Sequence, residues 1–397
     1  MKILVNIIRV LVGVLFIFSG LVKANDPLGL SYKMQEFFEL WGMEALNHLT
    51  LAFSILIIAF EIIAGIALLL GWKFRLFSWL LLALIIFFTF LTGYAYLSGK
   101  FTNCGCFGDC IPITPLTSFT KDIILLLLVG FLFVYRGKIR PVFSPGGNIT
   151  WIIAGLLFSF GFQWYVLNYL PVTDCLPFKK GNNILQQMKP PAGAVPDSFT
   201  IRYIYEKNGK RFEFSPAELP SDYKTYTYID RLDKLVRKGN AEPPIKGFAL
   251  IGETGADSTA EVLTQPYAIL VFTLDIASKG DAWRKKLLTV NQLAQNKNVP
   301  VYLITTEIDV AKQQLSGSVM SDLPVFACDF TAIRTAARTD PCYYLLSRGT
   351  IINKWSQKTV FGLEYTLSHM KPMLPLVPDA GKHSDDSLSS QEDTLQH

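Results

Sequence analysis

Long apolar runs fill the first 170 or so residues and are separated by short polar stretches. Four of these runs are about twenty residues long, enough to cross the hydrocarbon core of a bilayer. The fourth run is shorter and is typical of a re-entrant segment, unless its helix extends back through Lys121 and Asp122 towards Phe119. The candidate spans are residues 3–22, 49–70, 76–97, 123–135 and 149–170. The pattern therefore predicts a bundle of four to five transmembrane helices.

From Lys179 onward the hydrophobic pattern is that of a soluble protein. The stretch "FTIRYIYEKNGKRFEFS" alternates around Asn208 and Gly209, as in a β-hairpin. From Lys246 strand-like and helix-like stretches alternate and end in a hairpin around Arg348 and Gly349, which indicates an α/β domain. The polar, acidic tail is too poor in apolar residues to fold alone. We expect a membrane domain (1–172), a linker with a small β-rich module (173–245), the α/β domain (246–373) and a disordered tail (374–397).

Composition and charge agree with a membrane protein. Apolar residues make up 50% of the chain and the mean hydropathy is +0.32, both high for a soluble protein. The net charge of +5 is small for 397 residues, and no basic stripe interleaved with aromatic residues indicates nucleic-acid binding. The lipid bilayer is therefore an expected partner, and nucleic acid is not.

Basic residues in the loops predict the topology, because short loops rich in Lys and Arg stay in the cytoplasm. They lie between spans two and three and between spans four and five: Lys73, Arg75, Arg136, Lys138 and Arg140. With Lys2 also inside, the N-terminus is cytoplasmic, and the C-terminal domain and the loop 98–118 lie outside. The alternative for the first run is a cleaved signal peptide, which its length and Arg9 disfavour. We expect a bacterial inner (cytoplasmic) membrane protein with a periplasmic C-terminal domain.

Glu61 is the clearest polar residue within the spans, and a buried charge there is costly unless it is paired. Gly65, one turn later, lets another helix approach closely. One face of the first span could lie against Glu61; its members are Arg9, Gly13, Phe16, Gly20 and Lys23. A buried ion pair that fixes helix packing and a role in head-group binding or proton relay remain equal alternatives.

Three of the six cysteines lie in "FTNCGCFGDC", in the loop after the third span. A structural zinc site needs four ligands, and His48 is the only plausible addition to Cys104, Cys106 and Cys110, so we expect no metal. Gly105 lets Cys104 and Cys106 bond in a small, strained ring, and strain makes a disulfide labile. Cys110 would be the resolving or exchanging thiol. A purely structural bridge is the alternative, although Lys100 and Lys121 flank the loop and favour thiolates.

Three stretches together resemble the DoxX and MauE group of redox-associated membrane proteins. They are "FSGLVKANDPLG", Glu61 followed by "AGIALLLGW", and "NCGCFGDC", and the resemblance covers about the first 140 residues. It implies disulfide handling or passage of reducing equivalents across the membrane, and, in DoxX-type relatives, thiol or sulfur oxidation coupled to quinone. It marks Cys104 and Cys106 as the redox residues and quinone as a candidate cofactor.

The α/β pattern from Lys246 to Met373 resembles a thioredoxin-like fold of the peroxiredoxin and TlpA type. In that fold the redox pair follows "YAILVFTLDI", where this chain has "ASKGDAW", so the resemblance excludes a standard thioredoxin reaction. Pro341 takes the place of the family's cis-proline. Cys342 would then lie beside the vacated active site as an accepting thiol, as a partner of Cys328 in a disulfide, or as an inert thiol. Cys175, just after the last span, could meet the loop thiols, but we favour an inert small residue.

Three functions remain open. The favoured one is an integral membrane thiol–disulfide oxidoreductase, relaying electrons or disulfides through the CGC loop between a membrane carrier and an exported partner. The second is a membrane-anchored, non-catalytic scaffold whose outer thioredoxin-like domain binds a partner. The third is a small-molecule transporter that uses Glu61, which is least supported because the five spans show no evident inverted repeat.

Overall fold

The computed structural model describes residues 2–99, 108, 110–111, 113–196, 198–237, 239, 241–276 and 281–372. Over these residues the chain forms a bundle of long helices, a three-stranded sheet and an α/β domain. The tail 374–397, predicted to be disordered, lies outside the described residues.

Five helices of the bundle are long and apolar enough to cross a membrane, as the hydrophobic pattern predicts. The fourth predicted span is a twenty-residue helix, because it extends back beyond Lys121 and Asp122 to Pro115. One half-buried helix was not predicted; it follows the first span, and Asp26 caps its N-terminus by accepting a hydrogen bond from the Gly29 amide. The bundle helices are α1 (Lys2–Ala24), α2 (Pro27–Leu40), α3 (Thr50–Leu70), α4 (Phe74–Ser98), α5 (Pro115–Val134) and α6 (Pro145–Tyr169).

Small residues bring α1 and α3 into close contact. A Cβ atom on Gly65 would lie 2.7 Å from the carbonyl oxygen of Gly13, and one on Gly20 would lie 2.6 Å from the side chain of Ile62. Close backbone approach at small residues is a usual way for transmembrane helices to pack. The predicted face of α1 therefore does lie against the part of α3 that carries Glu61.

The predicted hairpin is present and belongs to a small antiparallel sheet. Its strands are β1 (Ser198–Lys207), β2 (Lys210–Phe214) and β3 (Thr227–Arg237), in the order β2-β1-β3. Asn208 and Gly209 have φ values of +53° and +72°, which suit the two-residue turn between β1 and β2. The pattern did not predict β3.

The C-terminal domain has a five-stranded sheet, in the order β6-β5-β4-β7-β8, with helices on both faces. β4, β5 and β6 are parallel, β7 and β8 pair antiparallel, and the Asp340–Pro341 peptide bond directly before β7 is cis. This arrangement is thioredoxin-like. The strands are β4 (Ala268–Phe272), β5 (Val301–Thr305), β6 (Val325–Ala327), β7 (Cys342–Ser347) and β8 (Thr350–Ser356). The helices are α7 (Ile184–Gln187), α8 (Thr259–Thr264), α9 (Ala282–Gln295), α10 (Ile308–Leu315), α11 (Phe330–Ala336) and α12 (Phe361–His369).

The segment between the last span and β1 also packs into this domain. Phe178 and Ile184 lie in the same core as Leu270 of β4 and Tyr344 of β7. The Ile184 amide donates to the carbonyl of Gly349 in the turn between β7 and β8. The three-stranded sheet is thus an excursion from the α/β domain, and α6 runs almost directly into the domain core.

Candidate functional site

A disulfide joins the bundle to the thioredoxin-like domain at their junction. It links Cys110, in the connection between α4 and α5, to Cys175, in the connection between α6 and the domain. The two Cα atoms are 4.8 Å apart and both residues are half-buried. The preference for an inert Cys175 was therefore wrong, because the chain leaving α6 passes directly beside the loop after α4.

Asn25, the residue after α1, holds the segment that leads to Cys175 in place. Its side-chain amide donates to the Thr173 carbonyl at 2.8 Å and accepts from the Thr173 amide at 3.0 Å. The same Nδ2 lies 4.0 Å from the sulfur of Cys110. The end of α1, the loop after α4 and the segment leading to Cys175 therefore meet at one asparagine.

An ion pair next to the disulfide fastens the domain to α2. Nε of Arg338 donates to both carboxylate oxygens of Asp26, at 3.0 and 2.8 Å. The ring of Tyr32 lies under two guanidinium groups, 3.7 Å from that of Arg334 and 5.4 Å from that of Arg338. Burial raises the pKa of Tyr32, so its hydroxyl stays neutral at physiological pH. No local sequence pattern predicts this contact, because Asp26 and Arg338 are about 300 residues apart.

A cleft of about 500 Å³ opens between α2 and α11, and Cys175 lies at its wall. Its other walls carry charges of both signs: Lys33, Glu36, Glu39, Arg334 and Arg338. A polypeptide that entered the cleft would therefore meet both a disulfide and polar partners.

Cys104 and Cys106, the predicted redox pair, lie outside the described residues, as do Gly105 and Lys100. Their bond therefore stays a prediction. Within the described part of the chain, no three His, Cys, Asp or Glu side chains are grouped so as to hold a metal ion.

The remaining two cysteines, Cys328 and Cys342, are buried free thiols in the domain core. A disulfide between them, one of the three alternatives, is therefore wrong. Burial raises the pKa of Cys328 to about 11 and that of Cys342 to about 12. Cys342 follows the cis-proline Pro341, but its side chain is fully buried in the core on one face of the sheet, so its sulfur is not presented to another protein. Protonated, enclosed thiols are inert, which agrees with the third alternative.

Glu61 forms a buried ion pair, one of the two alternatives, and its partner is Lys23. The ammonium nitrogen and Oε1 are 2.5 Å apart, and the side chains are 4% and 1% exposed. Ser19 donates to the other carboxylate oxygen at 3.2 Å. Arg9 lies at the opposite end of α1, beside Gly71, and does not reach this pair.

A second charge pair within the spans was not predicted. Lys121 and Asp122, neighbours on α5, are 2.7 Å apart, and Thr92 of α4 donates to Asp122 at 3.0 Å. The apolar run of the fourth span starts only at Ile123, and the predicted extension of its helix back through Lys121 and Asp122 gave no indication that the two residues pair.

Residues 1–135 match the family model of the methylamine utilisation protein MauE. The match covers α1 to α5 and ends before α6. Residues 199–238, which include the three-stranded sheet except for Ser198, match a domain of unknown function (DUF8463). Protein TlpB from Flavobacterium psychrophilum is 32% identical over 179 residues, 44% of this chain and 45% of that protein, so the match spans less than half of the relative. A solved thiol-disulfide oxidoreductase from Bacteroides fragilis NCTC 9343 is 22% identical, with a TM-score of 0.26 and coverage of 30% of this chain and 96% of its own.

Proposed function

We propose that the protein is an integral membrane thiol–disulfide oxidoreductase, relaying electrons or disulfides between a membrane carrier and an exported partner. The observation that carries the proposal is the half-exposed disulfide between Cys110 and Cys175, whose Cys175 lines a cleft between the helix bundle and the thioredoxin-like domain. The CGC loop precedes Cys110 directly in the sequence. This makes exchange between the two cysteine pairs the simplest route for electrons.

In the proposed direction of exchange the partner is oxidised. A partner thiolate attacks the sulfur of Cys175, forms a mixed disulfide and releases Cys110 as a thiolate. The partner's second thiolate then attacks the mixed disulfide, so the partner gains a disulfide and Cys110 and Cys175 are left as two thiols. A disulfide between Cys104 and Cys106 takes those two electrons and reforms the bond between Cys110 and Cys175. The membrane carrier reoxidises the loop pair, and the reverse sequence runs through the same bonds.

The thioredoxin-like domain acts in this scheme as the docking element. Its helix α11 forms one wall of the cleft, and the described thiols of its core are too deeply buried to exchange. The proposed location is a bacterial cytoplasmic membrane with the domain on the periplasmic side. The basic loops at the opposite end of the bundle and the disulfide itself support this orientation.

The test is to trap thiols by alkylation in cells and to read the redox state of each cysteine. We expect the Cys110–Cys175 bond and the loop pair to become reduced when respiration is blocked and to reoxidise when it resumes. In a Cys110→Ser variant the Cys175 thiolate can attack only the disulfide of an oxidised partner, releasing one partner thiol, and the resulting mixed disulfide should accumulate because Cys110 is absent to resolve it. The matched control, Cys328→Ser, should accumulate none. Cysteine pairs that never change state would refute the relay.

A non-catalytic scaffold is the second candidate, and the ion pair between Asp26 and Arg338 favours it, because that contact positions the domain without any redox change. The two candidates differ for the Cys110→Ser/Cys175→Ser variant. A scaffold with an intact fold would keep its cellular function, whereas a relay would lose it.

A further inference from the structure

The two sulfurs of the junction disulfide have opposite polar neighbours. Nδ2 of Asn25 lies 4.0 Å from the sulfur of Cys110, whereas the carbonyl oxygen of Thr173 lies 3.7 Å from the sulfur of Cys175. An N–H group stabilises negative charge on a sulfur, while a carbonyl oxygen opposes it and accepts instead from a protonated thiol. The two ends of the S–S bond are therefore not equivalent as sites for a thiolate.

The orientation of the Asn25 amide is fixed by its other hydrogen bonds. Its nitrogen donates to the Thr173 carbonyl and its oxygen accepts from the Thr173 amide. A flipped amide would set oxygen against oxygen and N–H against N–H, so the nitrogen is the atom beside Cys110. One N–H of the amide is used on Thr173 and the other is left for the sulfur. Asn25 is only 8% exposed, so water competes little for this donor.

The contact between Asn25 and Cys110 strengthens when the S–S bond breaks. A separation of 4.0 Å is long for a hydrogen bond to sulfur, and a disulfide sulfur is a weak acceptor. A thiolate is a much better acceptor, and charge-assisted hydrogen bonds are shorter than neutral ones and about twice as strong. An interaction that grows as charge develops on the leaving sulfur lowers the barrier to its departure.

The carboxylates near the disulfide are each paired with a cation. Asp26 and Asp174 line the same small pocket as the two cysteines. Asp26 pairs with Arg338, and Asp174 pairs with Lys354. These charges balance in pairs, so the pocket does not oppose a thiolate by a net negative charge. The difference between the two sulfurs therefore comes from their direct polar neighbours.

Access to the disulfide has the same direction. Among the described residues that line the cleft between α2 and α11, Cys175 is present and Cys110 is not. A thiolate that enters from this cleft meets the sulfur of Cys175, with Cys110 as the leaving group. The rate of thiol–disulfide exchange depends on which sulfur is attacked and on how well the other one leaves as a thiolate.

We propose that Asn25 is a catalytic residue of the exchange: it donates a hydrogen bond to Cys110 as that sulfur leaves, and so directs the attack of the partner to Cys175. The proposal rests on the proposed relay, and it assigns the two cysteines different roles. Cys175 forms the mixed disulfide with the exported partner. Cys110 holds the negative charge, which makes it the nucleophile for the loop pair that precedes it in the sequence.

The exchange balances in atoms and electrons. A bond forms between the partner's first sulfur and Cys175 while the bond between Cys110 and Cys175 breaks, and the electron pair of the broken bond stays on Cys110. The partner's second thiolate then displaces Cys175 and closes the partner's disulfide. Of the two protons that the partner's thiols lose, one is taken up by Cys175, whose S–H donates to the Thr173 carbonyl, and the other goes to water.

The first test measures which thiol ionises more readily. The full-length protein in lipid nanodiscs is reduced, freed of the reductant, and alkylated with iodoacetamide as a function of pH, with each cysteine followed by mass spectrometry. We expect the half-maximal rate of Cys110 to lie about one pH unit or more below that of Cys175, because a hydrogen bond to a charged group contributes about a factor of ten. Different exposure changes the height of each profile but not its midpoint. A midpoint of Cys110 equal to or above that of Cys175 would overturn the proposal without any variant.

Variants then separate the donor from a purely structural role. Asn25→Leu removes the donor without adding a charge and should raise the midpoint of Cys110 by about one pH unit. A structural role would act on the segment that Asn25 anchors, and so would move Cys175 rather than Cys110. Asn182→Leu is the matched control, because Asn182 also donates to a backbone carbonyl of this segment, that of Pro177, and should leave Cys110 unchanged. An unchanged midpoint of Cys110 in Asn25→Leu, or an equal shift in the control, would refute the role of Asn25.

The second test locates the attacked sulfur. The oxidised protein is treated with a large excess of glutathione and quenched with acid, and mass spectrometry locates the glutathione. We expect roughly tenfold more glutathione on Cys175 than on Cys110, and a smaller preference in Asn25→Leu. Glutathione mainly on Cys110 would overturn the proposal, and the relay would stand if the thiols still cycle in cells. Thiols that do not cycle when respiration is blocked, in a protein that shows both preferences in nanodiscs, would refute the relay and leave the effect of Asn25 on the exchange.

Discussion

Removing one member of the buried pair between Lys23 and Glu61 should destabilise the bundle strongly. Glu61 is eleven residues from the start of α3, which at 1.5 Å per residue places it about 16 Å along the helix, near the middle of a hydrocarbon core about 30 Å thick. Its side chain is 1% exposed and that of Lys23 is 4% exposed, so neither charge reaches water. Breaking such a pair from one side costs about 3–5 kcal/mol, because the other charge stays buried and uncompensated.

A double-mutant cycle measures this coupling. The variants are Lys23→Met, Glu61→Leu and the two combined, and the assay is unfolding in bicelles by increasing fractions of SDS. We expect each single variant to lose about 3–5 kcal/mol and the double variant to lose less than either, because it leaves no unpaired charge. The half-exposed pair between Lys33 and Glu36 on α2 is the control, with an expected coupling of about 0.2–1 kcal/mol. Single variants within about 1 kcal/mol of the wild type, or strictly additive losses, would refute the reasoning.

Three further predictions concern other parts of the molecule. Gly65→Val should cost about 1–3 kcal/mol in the same SDS assay, because its side chain would collide with the Gly13 carbonyl, whereas Gly161→Val, with no atom within 4 Å of its added Cβ, should be close to neutral. Arg338→Ala should speed limited proteolysis in residues 171–177 several-fold while the domain keeps its circular dichroism spectrum, since it breaks the contact with Asp26; an unchanged cleavage rate would contradict this. Cys328 and Cys342 should resist iodoacetamide at pH 8 in the native protein and react in SDS, as read by mass spectrometry. Because burial raises their pKa values from 9.0 to about 11 and 12, the native fold disfavours their thiolates, and the free energy of unfolding should fall as the pH rises from 9 towards 12.

Hydrophobic periodicity predicted the parts of the fold that depend on local sequence. The five spans, the hairpin at Asn208 and Gly209 and the α/β alternation after Lys246 are all present. Some elements were missed: β6 has only three residues, and α2 has too weak an apolar face to stand out in an otherwise apolar region. The eleven-residue strand β3 was missed as well. Their positions are decided by packing on neighbouring elements rather than by their own residues.

The contacts of the candidate site were predicted only where the spacing of residues along one helix indicated them. The spacing of four, three, four and three on α1 was enough to bring Lys23 to Glu61. The bond between Cys110 and Cys175 spans 65 residues, and the contact between Asp26 and Arg338 joins two domains. Such pairs depend on how α6 delivers the chain to the end of α1, and single-sequence patterns contain no information about that geometry.

The two hydrogen bonds between Asn25 and Thr173 have a consequence for the disulfide beside them. They hold the chain two residues before Cys175 in place without any help from the S–S bond. After reduction, Cys110 and Cys175 would stay neighbours, at an effective concentration of about millimolar or more. Small thiols diffusing freely at lower concentrations would then lose the competition with reclosure. A docked partner would not lose this competition, because binding holds its thiols at a similarly high effective concentration. The disulfide at the junction would therefore exchange with a bound protein and not with the bulk thiol pool.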